Sequence, residues 1–285
     1  MSKIIRVFPR KTSATPDDCF AFVGEPPETV SALQGMEGVE VHISVTFSYD
    51  IPEANRLAEL WSKVAPVKIG GPALGDRGSD FVPGKYVKPG YVITSRGCPN
   101  DCWFCDVHKR EGNIRELPIA QGSNLLDSNI LACSLPHVQR VFNMLKLSES
   151  PVELTGGLEA KRLSWQHVDM LWDLRPSSMF FAYDTPDDLD PLISAGIKLR
   201  FANFTRQHLR CYVLIGWPKD TIAQAKKRLI ETWRAGFMPM AMLWKNKRGD
   251  EDREWRKFQR LWARPALTKR QMQNIYHNAV YGENK

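Results

Sequence analysis

Three cysteines, Cys98, Cys102 and Cys105, stand in one short run, Ser95-Arg96-Gly97-Cys98-Pro99-Asn100-Asp101-Cys102-Trp103-Phe104-Cys105. The C-x3-C-x2-C spacing supplies three thiolates with no fourth cysteine nearby, whereas a cubane iron–sulfur cluster that only transfers electrons takes four cysteine ligands. A cluster held here would keep one iron open. An unfilled metal position is what separates catalytic from structural sites, and it can chelate a substrate or cofactor. A second chemistry is available to the same residues. With His108 they make a C-x3-C-x2-C-x2-H set, and three thiolates plus one imidazole satisfy tetrahedral zinc. Zinc clips usually come as two separated ligand pairs, which this single tight run is not. The other cysteines, Cys19, Cys133 and Cys211, are scattered; they read as small buried side chains of a reduced protein, and no second cluster is expected.

The spacing, the aromatic Phe104 just before the last cysteine and the Ser-Arg-Gly-Cys-Pro opening resemble the signature loop of the radical S-adenosylmethionine (SAM) superfamily. Within it, the stretch from Thr94 to Glu116 resembles the branch of methylthiotransferases and cobalamin-type radical enzymes. The resemblance implies a [4Fe-4S] cluster on Cys98, Cys102 and Cys105 whose unique iron is chelated by the amino and carboxylate groups of SAM. It implies reductive cleavage of SAM to methionine and a 5′-deoxyadenosyl radical that abstracts hydrogen from a substrate. An electron donor such as flavodoxin or ferredoxin follows as a partner, and a partial (β/α)6 TIM-like barrel as the fold.

The elements that must position this loop are legible in outline. The chain has 285 residues, 43% of them apolar and 25% charged, enough for one large core or a core with an extra lobe. Met1 to Arg10 alternates apolar and basic residues, which fits a first strand and not a signal peptide. No run of about 18 apolar residues occurs, so no membrane span is expected and the cytoplasm is the expected location.

Three regions separate. In residues 1–85, Ile4 to Phe8 and Val39 to Val45 read as strands, Pro52 to Val64 as a helix, and Val67 to Pro72 as a strand running into a glycine turn. The strand, helix, strand, Gly-Gly order resembles the last part of a cobalamin-binding Rossmann-like domain, making this a truncated Rossmann-like region. No D-x-H-x-x-G segment supplies an axial histidine, and His42 is the only histidine here, so cobalamin dependence is not the expectation.

In residues 86–244, strands and helices alternate, the pattern of an α/β fold with parallel strands. Strands are expected at Tyr91 to Ser95, Ser128 to Ala132, Val152 to Leu154, Met179 to Tyr183, Cys211 to Ile215 and Met238 to Leu243. Helices are expected at Pro136 to Leu147, Ser164 to Leu174 and Thr221 to Ala235. Six strands fit the half-barrel that the resemblance implies, with working residues at the C-terminal strand ends. Those ends nominate the SAM contacts. Gly156 and Gly157 let a ligand approach the backbone or simply make a tight turn. Asp184 can accept from ribose hydroxyls or cap a helix. Leu214 and Gly216, in Leu214-Ile215-Gly216-Trp217-Pro218, resemble the element beside the SAM adenine, and Trp217 with Phe104 could sandwich a base or fill core.

Residues 245–285 change character, with eleven Lys/Arg against five Asp/Glu in a chain of net charge +7 and pI near 9.1. On a helix over Asp252 to Arg264, Arg253, Arg256, Lys257, Arg260 and Arg264 fall on one face, and Trp255, Phe258, Leu261 and Trp262 on another. The aromatic face should pack and the basic stripe face outward, where it is either a solvated surface or a nucleic-acid contact. The substrate is accordingly expected to be a nucleic acid or nucleotide, with a small metabolite or peptide as the alternative.

Overall fold

The computed structural model describes residues 3–29, 38–77, 81–246, 249 and 252–281. It divides into two compact units, Met1–Ser128 and Asn129–Lys285.

The first unit is built on four parallel strands, β1 (Lys3–Phe8), β2 (Ala21–Val23), β3 (Val39–Ser44) and β4 (Val67–Gly70), in the order β2-β1-β3-β4. Period-two alternation in Val39-Glu40-Val41-His42-Ile43 places Val39, Val41 and Ile43 in the core. Helix α1 (Ile51–Trp61), with Pro52 in its first turn, sets Ala54, Leu57 and Trp61 into the same cluster. The Trp61 indole N–H donates to the Gly24 carbonyl at 3.0 Å, the partner a buried indole requires. Arg6 also departs from the aliphatic pattern. It is buried, donates to the carbonyls of Gly84 and Lys85 at 2.9 and 3.0 Å, and pairs with Asp18, tying the 84–85 segment to the sheet.

The unit continues through β5 (Tyr91–Val92), β6 (Ser95–Arg96), α2 (Val107–Glu111), β7 (Arg115–Glu116) and β8 (Asn124–Leu125). β5 pairs with β8 in parallel, and β6 with β7 antiparallel. The strand expected over Tyr91 to Ser95 is thus split. The break falls at Thr94, whose N–H and hydroxyl both turn to the Asp127 carboxylate, at 2.6 and 2.7 Å, and leave the ladder.

The second unit carries α3 (Leu135–Lys146), β9 (Glu153–Leu158), α4 (Trp165–Leu174), β10 (Ser178–Tyr183), α5 (Leu189–Phe201), β11 (Leu209–Ile215), α6 (Ile222–Arg234), β12 (Met238–Leu243), α7 (Arg253–Trp262) and α8 (Pro265–Tyr281). β9 to β12 are parallel neighbours in chain order. Ser134, Ser164 and Thr221 cap α3, α4 and α6 through hydrogen bonds to the third residue on, as the sequence suggested for Ser164.

Two expectations are corrected. Ser128 to Ala132 is not a strand: Ile130–Ala132 forms a 3-10 turn, and the strand of this part of the chain is β8, at Asn124–Leu125. Nor is Leu189–Phe201, a helix, marked by periodicity in the sequence. Its exposed face carries Ile193, Ile197 and Phe201, which blurs the apolar periodicity. The architecture is α/β with open parallel sheets; among the described residues no sheet closes on itself.

Candidate functional site

The loop from Gly97 to Asp106 joins β6 to α2 and carries Cys98, Cys102 and Cys105, all half-buried thiols. Its neck is fixed by backbone bonds. Cys98 N–H donates to the Gly112 carbonyl at 3.1 Å, and Cys105 N–H to the Cys102 carbonyl at 3.0 Å. Gly97 has φ +89°, and a Cβ there would lie 2.3 Å from the Asn113 carbonyl oxygen, so only glycine lets the two arms of the neck meet.

Two buried carboxylates, both missed by the sequence reading, hold this neck. Asp127 accepts from Thr94 and from the Ser95 hydroxyl at 2.6 Å, and burial pushes its carboxyl pKa upward against these bonds. Glu111 accepts the Gly97 N–H at 2.9 Å and lies 3.2 Å from Arg110 and 3.7 Å from Arg96. In the sequence Glu111 ends a Lys-Arg-Glu run and looks like an exposed helix charge; only the returning Gly97 backbone distinguishes it.

The donor set suits an iron–sulfur cluster. Burial raises the Cys105 thiol pKa, as does Cys98, while the Val107 N–H and Arg110 favour the thiolate. A metal bound there would favour the thiolate further, because a metal-bound thiol is deprotonated. His108 Nδ1, Arg96 Nε and Arg110 Nε are buried without a hydrogen-bond partner among the described residues. Such N–H groups around a cysteine loop suit an anionic cluster, whose potential responds to hydrogen bonds at its sulfurs. Among the described residues, no three His, Cys, Asp or Glu side chains are gathered as one metal ion would need. Phe104 meets Trp103 edge-on, with ring centroids 5.3 Å apart.

The other nominated residues belong to the second unit. Gly156 and Gly157 lie inside β9, where Leu154 and Leu158 oppose Met179 and Phe181. The pair therefore sits in a bulge and not in a turn after the strand. Glu159, which follows β9, accepts from Asn129 at 2.7 Å and Arg162 at 2.6 Å. Asp184 leaves β10 and accepts the Leu214 N–H at 3.1 Å, while its own N–H donates to Asp188. Burial, with Asp188 adding to it, raises the Asp184 pKa to about 7. Leu214 is buried in β11.

Gly216 has φ +75°, and a Cβ there would meet the Leu243 side chain at 2.6 Å and the Trp255 ring at 3.1 Å. The side on which a ligand was expected to approach is thus faced by the chain's own α7. The Gly216 N–H donates to Asp220, whose carboxylate is shielded from solvent and pairs with Arg228 at 2.8 Å. The Arg228 guanidinium also lies 4.2 Å from the Trp217 ring centroid. Trp217 and Phe104 each have a protein neighbour, a guanidinium for the first and the Trp103 ring for the second.

The tail is as expected in part: Arg253, Arg256, Lys257, Arg260 and Arg264 are exposed and Trp262 is buried, but Trp255 and Phe258 are only half-buried, Leu261 is 44% exposed, and the helix stops at Trp262, short of Arg264. Of the remaining cysteines, Cys211 is buried, Cys133 half-buried and Cys19 exposed, so only Cys211 is the core residue expected. No described helix is long and apolar enough to cross a membrane.

No protein-family model and no curated protein matches the chain. Solved structures do. One is a radical S-adenosylmethionine methyltransferase, TsrM, from Kitasatospora setae, with cobalamin and a [4Fe-4S] cluster bound; its TM-score is 0.60 at 11% identity, over 85% of this chain and 75% of that one. A second is the same enzyme with its tryptophan substrate and a SAM analogue bound, with TM-score 0.55 at 11% identity, over 85% and 73%. The likeness is one of fold.

Proposed function

We propose that the protein is a radical SAM enzyme with one [4Fe-4S] cluster on Cys98, Cys102 and Cys105. The carrying observation is this three-thiol loop, held at a preformed neck, in a chain whose fold is similar to an enzyme solved with such a cluster and with a SAM analogue. A cluster held by Cys98, Cys102 and Cys105 would, when reduced by an external donor, supply the one electron needed to cleave SAM to methionine and a 5′-deoxyadenosyl radical. The chain's own residues hold and tune it: Glu111 and Asp127 fix the neck, and Arg96 and Arg110 bring positive charge to it. Gly156, Gly157, Asp184, Leu214 and Gly216 are retained as SAM contacts within a half-barrel, with Phe104 beside the cluster.

A nucleic acid or nucleotide is the proposed substrate class, on the exposed basic stripe of α7; a small metabolite or peptide is the alternative. Flavodoxin or ferredoxin is the proposed reductant. A cobalamin-assisted methyl transfer is the second reading, favoured by the four-stranded parallel sheet of the first unit and by the cobalamin bound in the similar structure.

Anaerobic reconstitution tests the proposal. The chain should take up close to four irons and four sulfides, lose them when any of the three cysteines becomes Ala, and release 5′-deoxyadenosine from SAM under dithionite. Stoichiometric zinc without a cluster in an iron-replete preparation would overturn it. Absorbance of bound hydroxocobalamin separates the second reading from the first.

A further inference from the structure

At the N-terminal ends of β11 and β12, opposite the strand ends that carry Asp184 and Gly216, Thr205, Arg206, Gln207, Trp233, Met238 and Lys269 line a cavity of about 350 Å³. That volume falls within the range of small-molecule sites. Arg206 is held rigidly at its wall. Its Nη2 and Nε donate to the Trp233 carbonyl at 2.8 and 3.3 Å, closing the end of α6, and its guanidinium lies 4.5 Å from the Trp233 ring centroid. Among the described residues Nη1 has no hydrogen-bond partner, and Lys269 has neither an ion pair nor a hydrogen bond.

No carboxylate lines the cavity. Burial draws the Arg206 guanidinium below its ordinary pKa without discharging it; Tyr276 opposes this, and the positive charge of Arg200 adds to it. The lining therefore carries two cations, Arg206 and Lys269, and no acidic side chain to oppose an incoming anion.

We propose that this cavity binds a phosphate-bearing small molecule, its terminal phosphate between Arg206 and Lys269 and its organic part against Trp233 and Met238. Two cations at one concavity match a dianionic terminal phosphate. A guanidinium with a spare N–H pair offers the planar fork that phosphate oxygens accept. The cavity shares no lining residue with the cysteine loop or with the basic stripe of α7.

ATP, adenosine, inorganic phosphate and a single-stranded oligonucleotide are the probes, titrated calorimetrically into the cluster-loaded full chain at low salt. ATP should bind, inorganic phosphate should compete with it, and adenosine should not bind. Because Arg206 also closes α6, the exposed Lys269 carries the test. Lys269→Gln should weaken ATP binding about tenfold, the loss of one charge-assisted contact, and Lys269→Glu should abolish it. Lys257→Gln, on α7, should leave it within about twofold. Absent ATP binding, adenosine binding as tightly as ATP, Lys269 variants that bind like the parent, or oligonucleotide binding without ATP binding would each overturn the proposal. SAM cleavage plays no part in the readout, so failure here leaves the radical SAM reading standing.

Discussion

At the scale of single residues, the question is which side chains are ligands and which only position them. His108 stands three residues after Cys105, and its Nδ1 is buried without a partner among the described residues. As a zinc ligand it would be indispensable, whereas beside a three-cysteine cluster it is replaceable. His108→Ala should keep full iron and sulfide content after reconstitution; loss of metal in that variant would make it a fourth ligand and close the open iron. Asp184 gives a second prediction. Its folded-state pKa, about 7, lies above the ordinary carboxylate value near 4. Between these values the folded state binds the extra proton, so this residue's contribution to stability falls as pH rises from about 4 to about 7 and is constant above. Asp184→Asn keeps an oxygen for the Leu214 N–H and removes the buried charge. Thermal melts should show the variant more stable than the parent at pH 8, with a gap that closes as pH falls toward 4; a pH-independent gap would refute the assignment.

At the scale of elements, the cysteine loop depends on its neck more than on any regular structure. A methyl group at Gly97 meets the Asn113 carbonyl at 2.3 Å and forces a left-handed conformation on an L residue, a strain of about 1–2 kcal/mol before the clash is added. Gly97→Ala should therefore lower both the melting temperature and the iron retained per chain. Glu111→Gln should keep an acceptor for the Gly97 N–H yet leave Arg96 and Arg110 without their shared carboxylate; a smaller loss of iron than in Gly97→Ala is expected from iron assay. This neck also marks where sequence reading ends. The strands of the second unit were legible in outline because short apolar runs alternate with longer helical patterns, so Met238–Leu243 falls where it was expected. The three cysteines were legible because their spacing is local. Asp127 and Glu111 were not, since each acts on backbone 14 or more residues away in the chain and neither sits in a local pattern. The Gly156-Gly157 bulge was equally hidden, because only pairing with β10 shows two more residues on one strand than on the other. At Gly216 the glycine was noticed, but the Trp255 ring that faces it arrives from a helix almost forty positions later.

At the scale of the whole molecule, the dominant property is a net charge of +7 carried mostly by the C-terminal region. There, Arg253, Arg256, Lys257 and Arg260 on α7 and Arg264 just beyond it are exposed, while Trp262 is buried. The helix is thus attached chiefly through Trp262, and Arg253 and Arg260 stand at the surface, where phosphates would reach them. If a polynucleotide lies along them, each neutralised phosphate releases condensed counterions, and log K falls with log salt at a slope of about −0.7 per contact for single strands and −0.9 for duplex. Replacing Arg253 and Arg260 by Gln removes two such contacts, which should flatten the slope by roughly one to two units. Both residues are solvent-exposed, so the change should leave the fold and the cluster intact. Binding isotherms for a single-stranded RNA over a salt series, taken alongside SAM cleavage by the same preparations, make the comparison. A flatter slope with cleavage unchanged supports the nucleic-acid reading. An unchanged slope removes the stripe from recognition, and an absence of binding even at low salt moves the substrate to a small metabolite or peptide.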